Sequence, residues 1–63
     1  MKVGNLVRPL RQPSDIKNKS IKDNPINLET LGVVIEVLGQ IIKVKWPDGR
    51  TLTFESDDLE DLE

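Results

Sequence analysis

The side chains that most often carry out catalysis are largely missing from this chain of 63 residues, which has no histidine, cysteine or tyrosine. General acid–base work at neutral pH favours histidine or a carboxyl group with a shifted pKa, and covalent catalysis needs an activated nucleophile. The serines Ser14, Ser20 and Ser56 fall where loops and helix caps are expected. We therefore expect no catalytic residues and a protein that is not an enzyme.

Metal and cofactor binding are not expected either. Without cysteine and histidine the chain has neither disulfides nor the usual zinc ligands. The acidic run over residues 55–63 lacks the spaced aspartates and the glycine of a calcium loop. The sequence predicts no cofactor and no metal site.

Charge is spread unevenly along the chain, although the net charge is only −2. Residues 1–22 carry a surplus of basic side chains, and the charged residues of 55–63 are all acidic. Folding could therefore bring the two ends together. A net charge this low argues against a general nucleic-acid binder, whose affinity rests on many phosphate contacts. The candidate partner-binding residues are the basic ones of the first third and of one strand: Arg8, Arg11, Lys17, Lys19, Lys22, Lys43 and Lys45.

The second half of the chain predicts three antiparallel strands joined by tight turns. GVVIEVL places Val33, Ile35 and Val37 on one face of a strand. Gly39–Gln40 is a two-residue hairpin signal, and IIKVKW follows with its lysines on the wet face. PDGR predicts a second tight turn, which is followed by the third strand, TLTFE.

Trp46, the only tryptophan, lies in phase with Ile42 and Val44. We expect it in the core rather than as an exposed binding platform, with Leu52 or Phe54 nearby. The residues expected to fix this framework are Gly32, Gly39, Trp46, Pro47, Asp48, Gly49 and Phe54.

The ends of the chain complete a single domain over residues 1–63. KVGNLVR predicts a first strand with Val3 and Val7 inward. Residues 9–31 show no sustained period and predict a long polar loop without a helix. Residues 56–59 predict one helical turn capped by Ser56, with Leu59 closing the core. Leu62 either begins a last short strand or trails into solvent.

This order of elements resembles an all-β, SH3-like small barrel of about five antiparallel strands with a long first loop. KVGNLVR resembles the VGDxV opening of such barrels, and LGVVIEVLGQIIKVKWPDG resembles the central hairpin of Tudor and KOW modules. SDDLEDLE is similar to an SDLE close. The same frame is similar to short proteins of tailed bacteriophages and prophages; it covers residues 2–8 and 31–62 and leaves the loop unmatched.

The resemblance implies three functions. A Tudor-like reader of methyl-lysine needs several aromatic rings around the cation, and this chain has only Trp46 and Phe54. A KOW-like nucleic-acid-binding protein would use the face that carries Lys43 and Lys45. We expect instead a protein-binding module, a phage virion accessory, decoration or adaptor protein acting through the basic loop and the barrel edge.

The expected partner is a phage structural protein, a host protein or a second copy. No N-terminal apolar run or long apolar segment occurs, so we expect no membrane contact and a location in the host cytoplasm or the virion.

Overall fold

The computed structural model describes residues 1–14, 18 and 20–62. Its elements follow the predicted order, with one short helix in the first long connection. They are β1 (Leu6–Pro9), α1 (Ser20–Asp23), β2 (Gly32–Leu38), β3 (Ile41–Lys45), β4 (Thr51–Glu55), a 3-10 turn (Ser56–Asp58) and β5 (Leu59–Asp61).

The five strands form one antiparallel sheet in the order β4-β3-β2-β1-β5. The predicted all-β class is therefore confirmed. Closure is not found, because no strand pairing joins β4 to β5 among the described residues. The sheet is an open one whose two edges are β4 and β5.

Both predicted hairpin turns are present. Leu38 pairs with Ile41, which leaves Gly39 and Gln40 as a two-residue loop, and Gly39 takes a φ of 62°. In the second turn the Gly49 backbone N–H donates to the Trp46 carbonyl at 3.0 Å. Gly49 has a φ of 95°, a conformation that costs glycine little and other residues more.

The core lies on one face of the sheet, where the inward residues of all five strands meet. Trp46 is 3% exposed, and its ring packs edge-on against Phe54 with centroids 5.8 Å apart. The predicted inward phase of β3 and β4 is confirmed. The buried apolar residues are Val7, Ile21, Ile26, Val34, Ile42, Val44, Trp46, Leu52, Phe54 and Leu59.

The predicted faces of β2 and of the N-terminal segment are wrong in part. Val33 and Ile35 are 39% and 41% exposed, whereas Val34 is buried and Val37 packs against the core. A β-bulge between Val34 and Glu36 sets two residues of β2 against one of β3 and resets the alternation. Val3, predicted to point inward, is 65% exposed because it lies in a turn before β1.

The segment between β1 and β2, predicted as a polar loop over 9–31, supplies part of the core. α1 brings Ile21 into the core, and Ile26 follows it, each 7% exposed. The Gln12 side chain bonds both backbone groups of Ile26, at 2.6 Å and 3.0 Å. Ile21 and Ile26 are isolated apolar residues without a repeating spacing, so the periodicity of the sequence does not predict that they pack in the core.

The C-terminal turn begins at Ser56 as predicted and ends one residue earlier, and the last strand begins before Leu62. The turn spans Ser56–Asp58, and β5 begins at Leu59, which is buried. The last strand therefore does not begin at Leu62, although the Leu62 N–H still bonds the Leu6 carbonyl at 3.1 Å.

Gly32 provides a test of the core packing. A Cβ at this position would lie 2.8 and 2.9 Å from Cζ3 and Cε3 of Trp46 and closer still to Cγ1 of Val44. We expect Gly32→Ala to lower the free energy of unfolding by about 1–3 kcal/mol, as overpacked cores do, measured by urea denaturation. The control is Gly39→Ala, where nothing lies within 4 Å and only the positive φ adds strain. A smaller loss at Gly32 than at Gly39 would contradict the packing.

Candidate functional site

The outward face of the sheet carries a cluster of half-exposed aliphatic side chains. Antiparallel register sets Leu6 beside Val33 and Val33 beside Lys45, and the Leu62–Leu6 hydrogen bond extends the same row to the C-terminus. Paired residues share a face, so this row runs Leu62, Leu6, Val33, Lys45 across four chain segments. Its three aliphatic members are 43%, 39% and 39% exposed.

Two more aliphatic residues join this row along β2. Leu31 and Ile35 flank Val33 at spacings of two residues and are 40% and 41% exposed. We call this set the outer apolar patch: Leu6, Leu31, Val33, Ile35 and Leu62.

A shallow cleft of about 460 Å³ opens within the outer apolar patch. Leu31, Val33 and Ile35 form one side, and the turn that follows β3 forms the other through Pro47 and Gly49. Lys45 lies at its margin. The cleft is therefore apolar, with a single cation beside it.

Trp46 lines this cleft but does not act as its contact platform. The ring is almost wholly buried, and its Nε1 is enclosed without a hydrogen-bond partner among the described residues. An enclosed donor cannot reach a ligand in the cleft. Trp46 supports the cleft wall from the core side.

A second, smaller cleft of about 250 Å³ lies between the turn after β3 and the chain before β2. Its polar groups bond one another: the Arg50 guanidinium donates to Asp48 at 2.7 Å and to the Asn24 carbonyl at 2.5 Å. The Arg50 N–H also donates to Asp48 at 2.9 Å. This backbone bond and then the guanidinium hold the pKa of Asp48 below its usual value. Arg50 thus links two parts of the fold.

Of the five partner-binding candidates that the structure describes, three lie beside carboxylates. Arg8 pairs with Glu60 at 2.9 Å and Arg11 with Asp58 at 2.9 Å, so the acidic tail folds against the basic N-terminal region. Lys43 pairs with Glu36 across the β2–β3 ladder at 3.2 Å.

The other candidates are not brought together. Lys22 on α1 and Lys45 on β3 are exposed and make no ion pair within the part of the chain that the structure describes. Lys17 and Lys19 lie outside the described residues. A continuous basic surface is therefore not formed by Arg8, Arg11 and Lys43, whose charges are locally balanced.

The β4 edge of the sheet is covered at its centre by one side chain. The Asn18 carboxamide accepts from the Thr53 N–H at 2.7 Å and donates to the Thr53 carbonyl at 2.8 Å, as a neighbouring strand would. Asn18 is 6% exposed. An incoming strand would have to displace this amide, so β4 is a protected edge rather than an open one.

No metal site emerges from the described residues, where no group of three or more histidine, cysteine or carboxylate side chains is placed to hold an ion. The same residues contain no helix with the length and apolarity of a membrane span. Comparison with known protein families, with curated proteins and with solved structures finds no match.

The outer apolar patch is the feature that sequence reasoning missed. Strict alternation assigned Val33, Ile35 and Val37 to one face, and the bulge then separated Val37 from the other two. The sequence does contain a signal of this patch. A strand with one solvated face should carry polar residues on that face, whereas GVVIEVL is apolar on both faces.

Asn18 gives a test of edge protection. We expect Asn18→Asp to destabilise the fold by about 1–3 kcal/mol, because a carboxylate cannot donate to the Thr53 carbonyl and is buried besides. Asn27→Asp is the matched control: the Asn27 side chain accepts from the Glu29 N–H at 2.9 Å and donates to no group among the described residues, and an aspartate accepts equally well. Urea unfolding at neutral pH separates the two, and equal losses would refute the role of Asn18.

Asp48 gives a test by pH. A folded-state pKa below the usual 3.8 means that Asp48 stabilises the fold above that value, and that this contribution is lost as pH falls through the folded-state pKa. We expect an NMR titration to place this pKa below 3.8. Arg50→Gln should retain part of the lowering, because the backbone N–H of residue 50, its largest single cause, is still present. A pKa at or above the usual value would exclude these bonds in solution.

Proposed function

We propose that this chain is a non-enzymatic protein-binding module on an SH3-like frame and that its contact surface is the outer apolar patch. The observation that carries the proposal is the joining of Leu6, Leu31, Val33, Ile35 and Leu62 into one exposed apolar area. Scattered exposed apolar residues are ordinary on soluble proteins, whereas a contiguous group around a cleft marks a contact site.

The SH3-like part of the proposal is supported by the order of elements. A first strand pairs with both the second and the last, two tight hairpins follow, and a single helical turn precedes the last strand. The Asn18 amide occupies the Thr53 backbone groups at the centre of the β4 edge and so opposes strand addition there, whereas the apolar patch lies on the face of the sheet.

As a concrete form we propose a phage virion accessory, decoration or adaptor protein, on the resemblance of the hairpin and of the two ends of the chain to short phage proteins. The partner would be a phage structural protein, a host protein or a second copy. An apolar contact of this kind suits a permanent place in an assembly better than a brief charge-steered encounter.

The alternative, a KOW-like nucleic-acid-binding protein, has less support. Lys43 is paired with Glu36, and Arg8 and Arg11 are paired with the acidic tail, so phosphates would compete with carboxylates already in contact. Lys45 is the remaining cation on that strand. Binding of labelled DNA or RNA that weakens steeply with salt would favour this alternative.

The test of the proposed function is particle association in cells that produce the chain together with its phage. We expect the wild-type protein to co-purify with particles and Leu6→Glu to lose at least about tenfold of this binding, since burying a new carboxylate costs more than 1.4 kcal/mol. Thr51→Glu is the matched control, because Thr51 is exposed at the end of the same row and outside the patch.

Both variants alter exposed positions, so their unfolding midpoints should match the wild type. Recovery of the wild-type protein only in the particle-free lysate would contradict the virion form. Equal particle binding by Leu6→Glu and wild type would contradict the patch as the contact surface.

A further inference from the structure

The outer apolar patch has a cleft on one side and two leucines on the other. Leu6 and Leu62 lie on β1 and just beyond β5 and do not line the cleft. Next to them lies the cleft bounded by Leu31, Val33 and Ile35. A twofold interface uses the same surface on both copies, so the half that carries these leucines can face the half that holds the cleft.

We infer that the occupant of the outer apolar patch is a second copy of this chain, packed face to face about a twofold axis that runs parallel to β1 and β2. This inference rests on the proposed function, because it names the partner of the same surface. Rotation about an axis between the two strands sets Leu6 of each copy over Val33 of the other, which lines the cleft. Two sheets related in this way keep their strands roughly aligned, the common packing of sheet on sheet.

Charge favours this axis over one that runs along the row of side chains, across the strands. In the row Leu62, Leu6, Val33, Lys45, the basic end opposes the C-terminal end of the second copy when the axis runs along the strands. An axis along the row would instead set Lys45 against Lys45, which is repulsive when desolvated. The strand-parallel axis is therefore the complementary one.

The carboxylate that Lys45 would meet is Glu60 of the second copy. Glu60 lies on β5 two residues before Leu62, and its side chain is 43% exposed. Its bond with Arg8 uses Oε2 alone, so Oε1 can accept from a second cation. Lys45 is exposed and without an ion pair among the described residues, and this contact would give it one.

The first experiment is sedimentation of the purified chain from about 1 μM to about 1 mM. We expect the mass to rise with concentration from 7.1 kDa toward twice that value. Leu6→Glu should weaken association at least about tenfold and Lys45→Glu should weaken it as well, while Gln40→Glu, at an exposed position in the β2–β3 turn, should leave it nearly unchanged. The unfolding midpoint of each variant checks that the monomer fold is intact.

The second experiment tests the axis, and the chain suits it because it has no cysteine of its own. Facing sheets lie about 10 Å apart, too far for a direct disulfide, so the cross-linker is a short bismaleimide. Mixing Lys45→Cys with Leu62→Cys should give a cross-linked dimer, and Lys45→Cys alone should give far less.

Each outcome decides the inference. A wild-type chain that stays monomeric at about 1 mM overturns the dimer, and particle binding that still depends on Leu6 would leave the proposed function standing. Association unaffected by Leu6→Glu places the interface elsewhere and overturns the dimer as described. Strong cross-linking of Lys45→Cys to itself overturns the axis. A Leu6-dependent dimer whose particle binding ignores Leu6 supports the dimer and refutes the partner role proposed for particles.

Discussion

The rest of the fold depends on the tight packing of Trp46 and Val44 against the backbone of Gly32. Because Gly32 has no Cβ, the indole edge and Val44 pack directly against the start of β2. Trp46 then reaches Phe54 on β4, so a single ring joins three strands. A chain of 63 residues has little apolar surface to bury, and one large ring in this position supplies a disproportionate share of its core.

Much of this framework can be predicted from the sequence, because it depends on residues that are close together along the chain. Turns such as Gly39–Gln40 and Pro47–Gly49 fix the hairpins by backbone preference, and period-two alternation then fixes the inward residues of β3 and β4. The contributions of Ile21, Ile26 and Asn18 were not predictable in this way. Each acts through a partner far along the chain, Thr53 in the case of Asn18, and no local pattern encodes such a contact.

The candidate site also contains some residues that the sequence reveals and others that only the fold brings together. The basic residues were conspicuous in the sequence, but folding sets Arg8 and Arg11 against the acidic tail, a long-range pairing that the opposite charges of the two ends allowed without requiring. The apolar patch was hidden because its members come from β1, β2 and the C-terminus, and their shared face exists only once register is known. The outer apolar patch therefore arises from strand order and register rather than from any one sequence motif.

The bulge in β2 ties the core to that surface. With strict alternation after Val34, Glu36 would point into the core, and burying an unpaired carboxylate costs far more than one irregular ladder position. The bulge turns Glu36 outward to meet Lys43 and returns Val37 to the core beside Ile42. Ile35, the extra residue, is left facing water. The bulge that keeps the Glu36 carboxylate out of the core therefore also adds Ile35 to the outer apolar patch. A partner that covers this patch would bury the Ile35 side chain, which the fold alone leaves exposed.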